Sequence, residues 1–398
     1  MNILLGITGS VAATLTKKLV VALQELGEVQ VIFTKWGEWF VSKADQESLR
    51  LGTGILYPVK IHKDEDEWPQ YTRPKTNEEL SPQNINYANI NMDVPRVWQK
   101  TDPILHIDLR RWASALVIAP LTANTLAKMA TGMCDNLLTS VWRCWDHNRP
   151  VIVAPAMNTM MWKNWPTTEQ ILQLQKLGVM VVQTAKKELA CGDVGYGAMG
   201  DIKDIVWKTK EALRWAFPLK NYPPCVGIPI NHHPGAFGFH RRHNFHTGVD
   251  LYTESNAVVS AVEGGTIVHI EKFTGPSVGH PWWEETWGMM IEGSSGVVNY
   301  GEISQPTRLS VGDRVKKGQV IGNVKRVLFE ERLRRDIPGH SCSMLHIELY
   351  KHGTRDFAGW EDPSKDPNLL DPTPHLISAI GAPYTTLTWD NPEGKEVG

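Results

Sequence analysis

Five short stretches hold side chains able to do chemistry. ACGDVGYGAM (190–199) sets the thiol of Cys191 and the carboxyl of Asp193 among Gly192, Gly195 and Gly197. Glycine at that density predicts a loop that bends sharply or moves. HIDLRRW carries His106, whose imidazole suits proton transfer near neutral pH, although a lone histidine before a strand is more often structural. PAMNTMMW carries Asn158, on its own a turn or cap residue, with Met161 beside it. Far downstream, FHTGVDLY puts His246 and Asp250 four apart, and MLHIELY adds His346. Two imidazoles and a carboxylate can form a three-ligand zinc site with an open position.

The elements that must position these groups follow from hydrophobic pattern. NILLGI (2–7), VQVIF (29–33), ALVIAP (115–120), VIVA (151–154) and VMVV (179–182) are apolar throughout and read as strands. Val11, Leu15, Leu19, Leu23 and Leu26 fall at helical spacing, and Ile202–Phe217 reads as a closing helix. Wholly apolar strands alternating with helices predict a doubly wound parallel sheet with ligands at the carboxyl ends of its strands. The first turn, GITGS, is half of a dinucleotide fingerprint, and Gly6 and Gly9 equally suit a plain strand-to-helix turn. In APLTANTLAK, Thr122 and Asn124 can cap a helix and offer donors to a phosphate or a flavin.

Residues 64–101 break the rhythm with a polar, Asn- and Pro-rich excursion. A second break comes at Asn221–Pro234, and beyond it short β-like runs alternate with Gly-containing turns. The expected division is an α/β domain over 1–218, a linker over 219–234, a mostly-β domain over 235–375 and an irregular tail over 376–398. At 398 residues, two domains are expected. The formal net charge of -2 gives no general attraction to nucleic acid or anionic membrane. Five scattered cysteines (134, 144, 191, 225, 342) argue against a disulfide framework and for a reducing, cytoplasmic setting. MNILLGITGS has no basic n-region, so no signal peptide is expected, and no apolar run is long enough to span a membrane.

Taken together, LHIDLRRWA, APLTANTLAK, CDNLLT, APAMNTMMW and ACGDVGYGAM, with DEDEW at 64–68, resemble the flavin-dependent homo-oligomeric cysteine decarboxylases, specifically the phosphopantothenoylcysteine decarboxylase type. The resemblance runs from Met1 to about Phe217 and departs in the longer 69–98 stretch. It implies a flavodoxin-like fold that binds FMN, with trimers or multiples of trimers carrying the flavin at a subunit interface. The implied reaction takes 4'-phosphopantothenoylcysteine to 4'-phosphopantetheine in coenzyme A synthesis. The flavin oxidises the thiol to a thioaldehyde, carbon dioxide leaves, and the enethiolate is reduced again. The resemblance implies that His106 is the catalytic base, Asn158 holds the substrate carboxylate and Cys191 donates the final proton. Met161 packs either on substrate or flavin or in the core, and Asp193 either binds substrate amides or shapes the turn. The implied FMN contacts are Gly9, Ser10, Val11, Phe33, Thr34, Lys35, Thr122, Ala123, Asn124, Thr125 and Ala156, with Phe40 either on the ring or in the core.

Residues 235–350 resemble lysostaphin-like zinc peptidases and related hybrid-barrel domains, with VGDRVKKGQVIG (311–322) as a hairpin. The family pattern of H-x-x-x-D followed by H-x-H implies His246, Asp250 and His346 as zinc ligands. Two histidines that assist water attack in that family are Met344 and Glu302 here. Three readings stay open for this half: a peptidase, a metal-binding module without peptidase activity that can carry a protein partner, and a metal-free interaction domain. His232, His233, His240 and His243 read as solvated linker residues. For the first half, the alternatives are a peptidyl-cysteine decarboxylase and a flavin-binding scaffold.

Overall fold

The computed structural model describes residues 1–67, 104–188, 194–220, 227–241, 245–333, 340–357, 366–381 and 385–389. Cys191, Asp193, Cys225, His243 and most of the 64–101 excursion lie outside them. The chain divides into two compact units, Met1–Lys210 and Glu211–Gly398.

The first unit is a doubly wound, flavodoxin-like α/β fold. Its strands are β1 (Asn2–Ile7), β2 (Glu28–Phe33), β3 (Lys60–His62), β4 (Ala115–Leu121), β5 (Val151–Pro155) and β6 (Met180–Val181). They pair in parallel in the order β3-β2-β1-β4-β5-β6. The helices are α1 (Thr16–Gln24), α2 (Lys35–Phe40), α3 (Lys43–Leu51), α4 (Asp64–Glu67), α5 (Leu105–Trp112), α6 (Ala123–Thr131), α7 (Leu137–Arg143), α8 (Thr159–Lys163), α9 (Trp165–Lys176) and α10 (Ile202–Leu213). β4 is buried along its whole length, as a central strand covered on both faces must be. Leu4, Leu116, Ile118 and Val153 pack against Leu109 of α5, Leu126 of α6 and Leu138 of α7. Ile3 and Leu5, equally buried, alternate to the opposite face. Strand order reverses between β1 and β4, so their carboxyl ends open the crevice where such sheets bind ligands.

An antiparallel hairpin of β7 (Ala185–Glu188) and β8 (Val194–Ala198) follows β6. This corrects the expectation of a plain loop over 190–199, because its second half is strand. The glycines there serve close approach. A Cβ at Gly195 would lie 2.1 Å from Thr159 Oγ1, and one at Gly197 would lie 2.4 Å from the Met157 carbonyl oxygen.

The second unit is mostly antiparallel β. Its strands are β9 (Ile228–Pro229), β10 (Val249–Tyr252), β11 (Val258–Ser260), β12 (Gly265–Lys272), β13 (Trp287–Glu292), β14 (Val297–Ile303), β15 (Arg314–Val315), β16 (Val320–Asn323), β17 (Met344–Tyr350), β18 (Leu369–Leu370) and β19 (Thr386–Leu387), with α11 (Thr373–Ile380) near the end. The main sheet runs β10-β17-β14-β13-β12-β15, with β18 on β17. Leu345, Ile347 and Leu349 of β17 enter its core, which leaves Met344, His346 and Glu348 on the opposite face.

Four expectations change here. Residues 311–322 are not one hairpin, because β15 pairs with β12 and β16 with β11. The turn at Gly318, with φ of 78°, passes the chain between the two sheets. Leu219 and Ile228, in the segment expected as a linker, belong to the second core, and Leu387, in the expected tail, is buried against Tyr252. Apolar side chains at those positions gain more from burial than a solvated connection allows. His233 is fully buried, and its Nδ1 accepts the Gly235 N–H at 3.0 Å, so it is not a solvated residue.

Candidate active site and metal centre

The loops after β1 and β4 are held together by Thr8, which is buried. Its hydroxyl donates to the Pro120 carbonyl oxygen at 2.7 Å and accepts the Thr122 N–H at 2.9 Å. Three cap residues converge beside this joint. Ser10 Oγ accepts the Ala12 N–H, Thr34 Oγ1 accepts the Gly37 N–H and caps α2, and Thr122 Oγ1 accepts the Thr125 N–H and caps α6. Gly9 is required by the approach of α2, since a Cβ there would lie 2.4 Å from Trp36 Cβ.

These caps open on a cavity of about 580 Å³. Of the twelve residues expected to contact a flavin, eleven line it: Gly9, Ser10, Val11, Thr34, Lys35, Phe40, Thr122, Ala123, Asn124, Thr125 and Ala156. Phe33 does not line it, and its side chain is buried at the end of β2. Met161 lines the cavity, as do Trp36, Asp64, Lys128, Asp135, Asn136 and Met157, which sequence reading did not select. Asp135 and Asn136 come from CDNLLT and Asp64 from DEDEW, so the motifs pointed to them without assigning a task. Lys128 Nζ pairs with both Asp135 oxygens at 2.8 and 2.7 Å, which holds that carboxyl below its usual value. Burial pushes the Asp64 carboxyl up, against the Leu137 N–H that it accepts. Helix N-termini at α2 and α6 favour an anion, and the volume suits a mononucleotide-sized ligand, so the residues present fit a flavin phosphate.

His106 sits in the first turn of α5, and its backbone N–H and Nδ1 both face the Glu67 carboxylate. Asn158 is the N-cap of α8, with Oδ1 accepting the Met161 N–H at 2.9 Å. That contact leaves the Nδ2 group as the side chain's donor end. His106 and Asn158 do not line the cavity.

In the second unit, Asp250 on β10 lies directly opposite His346 on β17. One ligand atom each from His246, Asp250 and His346 lies within 4.8 Å of the others, and all three residues are buried. His246 Nδ1 faces the Ala236 carbonyl oxygen at 2.9 Å, which turns Nε2 toward Asp250 Oδ1 at 3.1 Å and His346 Nδ1 at 3.2 Å. His346 Nδ1 lies 2.8 Å from Asp250 Oδ1, and its Nε2 lies 3.3 Å from Glu348 Oε1. Thr247 Oγ1, Asn299 Nδ2 and the Tyr350 hydroxyl all donate to Glu348. Burial, with Arg241 nearby, pushes the His246 imidazole down to about 4, whereas hydrogen bonds to Asp250 and Glu348 raise His346 to about 10, so an ion bound here has to displace a proton from His346. Arg241 donates to Asp250 Oδ2 at 2.9 Å. Two imidazoles and a carboxylate, one imidazole backed by a carboxylate, fit a zinc ion. Met344 and Glu302, which stand where the resemblance leads one to expect histidines, are both buried. Burial and the Asp250 charge raise the Glu302 carboxyl to about 8, and its Oε2 has no hydrogen-bond partner.

The switch-point cavity on a six-stranded parallel sheet defines the first unit as a nucleotide-type α/β binding domain. Residues 1–214 match the model of the family described as Flavoprotein, and the chain belongs to that family. Residues 244–356 match the model of Peptidase family M23. Phosphopantothenoylcysteine decarboxylase of Mus musculus is 39% identical over 214 residues, covering 53% of this chain and 87% of the mouse protein. The Arabidopsis thaliana enzyme of the same name is 41% identical over 201 residues, covering 50% of this chain and 79% of its own. A solved structure of a PPC decarboxylase mutant complexed with pantothenoylaminoethenethiol is 38% identical, covers 53% of this chain and 96% of its own, and superposes with a TM-score of 0.43. Among the described residues, no helix is long and apolar enough to cross a membrane.

Proposed function

We propose that the first unit is an FMN-dependent decarboxylase of 4'-phosphopantothenoylcysteine, acting in coenzyme A synthesis. The observation that carries this reading is one cavity assembled from eleven of the twelve expected flavin contacts, in a unit that is 39% identical over 214 residues to a decarboxylase of that name. Ser10, Thr34 and Thr122, with the N-termini of α2 and α6, hold the cofactor phosphate. When bound, the flavin would supply a hydride acceptor, and later a donor, for the oxidation and reduction of the substrate's cysteine carbon. His106 takes the thiol proton. Asn158 Nδ2 donates to the substrate carboxylate, and a neutral amide grips it without stabilising the charge so far that carbon dioxide is retained. Cys191 returns a proton to the product, and Met157 and Met161 form an apolar wall that excludes water. The same reading has the chain act as a homotrimer or a multiple of trimers. Support comes from Val11, Trp36 and Met161, which rim the cavity and are 49%, 60% and 47% exposed in the single chain.

The decisive experiment incubates the full-length protein with phosphopantothenoylcysteine and, separately, with a cysteine-ended peptide, and follows carbon dioxide by mass spectrometry. Release from the first substrate alone is expected. Release from the peptide alone transfers the reading to a peptidyl-cysteine decarboxylase, and a colourless protein that takes up no FMN ends it.

For the second unit we propose a zinc-binding module without peptidase activity. Support comes from a complete ligand set beside a methionine that cannot move protons.

A further inference from the structure

DEDEW contributes a second acidic residue that the proposed reaction leaves unused. The Glu67 side chain is 4% exposed, and both its oxygens are committed to one residue. Oε2 accepts the His106 backbone N–H at 3.0 Å, and Oε1 faces His106 Nδ1. The first N–H groups of a helix have no partner within it. At α5 the N-cap is Ile104, whose side chain makes no capping bond, so Glu67 fills that role from a separate element. One carboxylate therefore fixes both the start of the helix and the ring of its histidine.

An ionised carboxylate only accepts, so the ring nitrogen facing it carries the hydrogen and the lone pair falls on Nε2. We propose that Glu67 is the positioning residue of His106, selecting the Nδ1–H tautomer and presenting Nε2 as the proton acceptor. This rests on the reading of His106 as the catalytic base. In the step itself the substrate thiol proton moves to Nε2. Glu67 stays ionised and offsets the charge of the imidazolium, as an orienting carboxylate does in other histidine-based sites.

Glutamine has nearly the same shape but one acceptor and one donor end. The backbone N–H of His106 cannot change character, so in Glu67→Gln the amide oxygen keeps that contact. The NH2 group then faces Nδ1, which must become the acceptor, and the ring hydrogen moves to Nε2. The variant thus retains the helix cap and loses the base. Glu67→Asp keeps the charge on a side chain one methylene shorter.

The test uses the full-length holoprotein labelled with [15N]histidine, at a pH where the imidazole is neutral, with His106→Asn identifying the His106 resonances. Expected are the Nδ1–H tautomer in wild type and the Nε2–H tautomer in Glu67→Gln. Decarboxylation kcat in that variant should fall about 100-fold or more, with KM within about threefold and flavin content unchanged. Glu67→Asp should keep the Nδ1–H tautomer and recover about tenfold of the lost kcat. An Nε2–H tautomer in wild type, or a Gln variant within about threefold of wild-type kcat, overturns the proposal. So does a fall in kcat with the tautomer unchanged. Should the Gln variant not fold, Glu67→Asp decides: an Nε2–H ring with wild-type turnover rejects the role. A wild type that releases no carbon dioxide rejects the catalytic reading, while its tautomer still decides what Glu67 does to the ring.

Discussion

At the scale of single residues, the cavity depends on Thr8 more than on any residue chosen for ligand contact. Its hydroxyl is the only side-chain group in the described contacts that ties the β1 loop to the end of β4, donating to the Pro120 carbonyl and accepting from the Thr122 N–H. Thr8→Val keeps shape and removes both bonds, leaving a buried carbonyl and a half-buried N–H without that partner. The expected cost is about 1–3 kcal/mol of stability and at least a tenfold weaker FMN affinity, read by thermal unfolding and by quenching of flavin fluorescence on binding. Unchanged affinity would show that the loops hold their spacing without the hydroxyl. The reason Thr8 and Glu67 escaped sequence reading is physical. GITGS and DEDEW flag a turn and an acidic cluster, but what each side chain meets lies 112 and 39 positions away. Thr122 was legible as a cap because a capping hydroxyl answers an N–H within its own turn.

At the scale of elements, wholly apolar strands such as β4 identified themselves, because burial on both faces leaves no polar position to confuse the pattern. β8 did not, since Gly195 and Gly197 imitate a loop while serving close packing against residues 157–159. Met157 N–H donates to the Gly197 carbonyl oxygen at 2.9 Å, so β8 braces the loop that carries Asn158. Gly197→Ala puts a side chain on a residue with φ of 120° and a Cβ 2.4 Å from the Met157 oxygen. The brace should open, with kcat falling more than tenfold on the order of what a misplaced binding group costs, while FMN absorbance stays near wild type. Loss of flavin with retained turnover per bound FMN would contradict this. A comparable brace in the second unit gives a pH dependence. Glu292, ending β13, accepts from Gly353 N–H at 2.9 Å and pairs with His352 and Arg355. The hydrogen bond from His352, with those of Gly353 and Arg355, holds its carboxyl down at about 2. A lowered folded value stabilises above the ordinary carboxylate range and is lost as pH falls toward 2. Glu292→Gln should therefore cost on the order of 1 kcal/mol at pH 7, a figure reduced for partial solvent exposure, and nothing near pH 2. Parallel denaturation curves across that range measure it.

At the scale of the whole molecule, the chain holds two compact units, each with its own core. The α/β and mostly-β textures were legible because the hydrophobic period changes between them. Where the first unit ends was not, because Leu219 and Ile228 sit among prolines that imitate a linker. Separate cores give separable chemistry. The second unit's ligand atoms already converge within hydrogen-bond distance, so an ion replaces those contacts without rebuilding the strands. His246→Ala removes one imidazole and leaves Asp250 and His346, too few to keep a structural-strength site. Wild type should contain about one zinc per chain by elemental analysis and the variant essentially none, with FMN content equal in both. Bound zinc stabilises the state that holds it, so chelation should lower one unfolding transition and leave the flavin-reporting transition in place. Equal zinc in both proteins would reject the ligand set. Loss of flavin on chelation would show that the two units are energetically coupled.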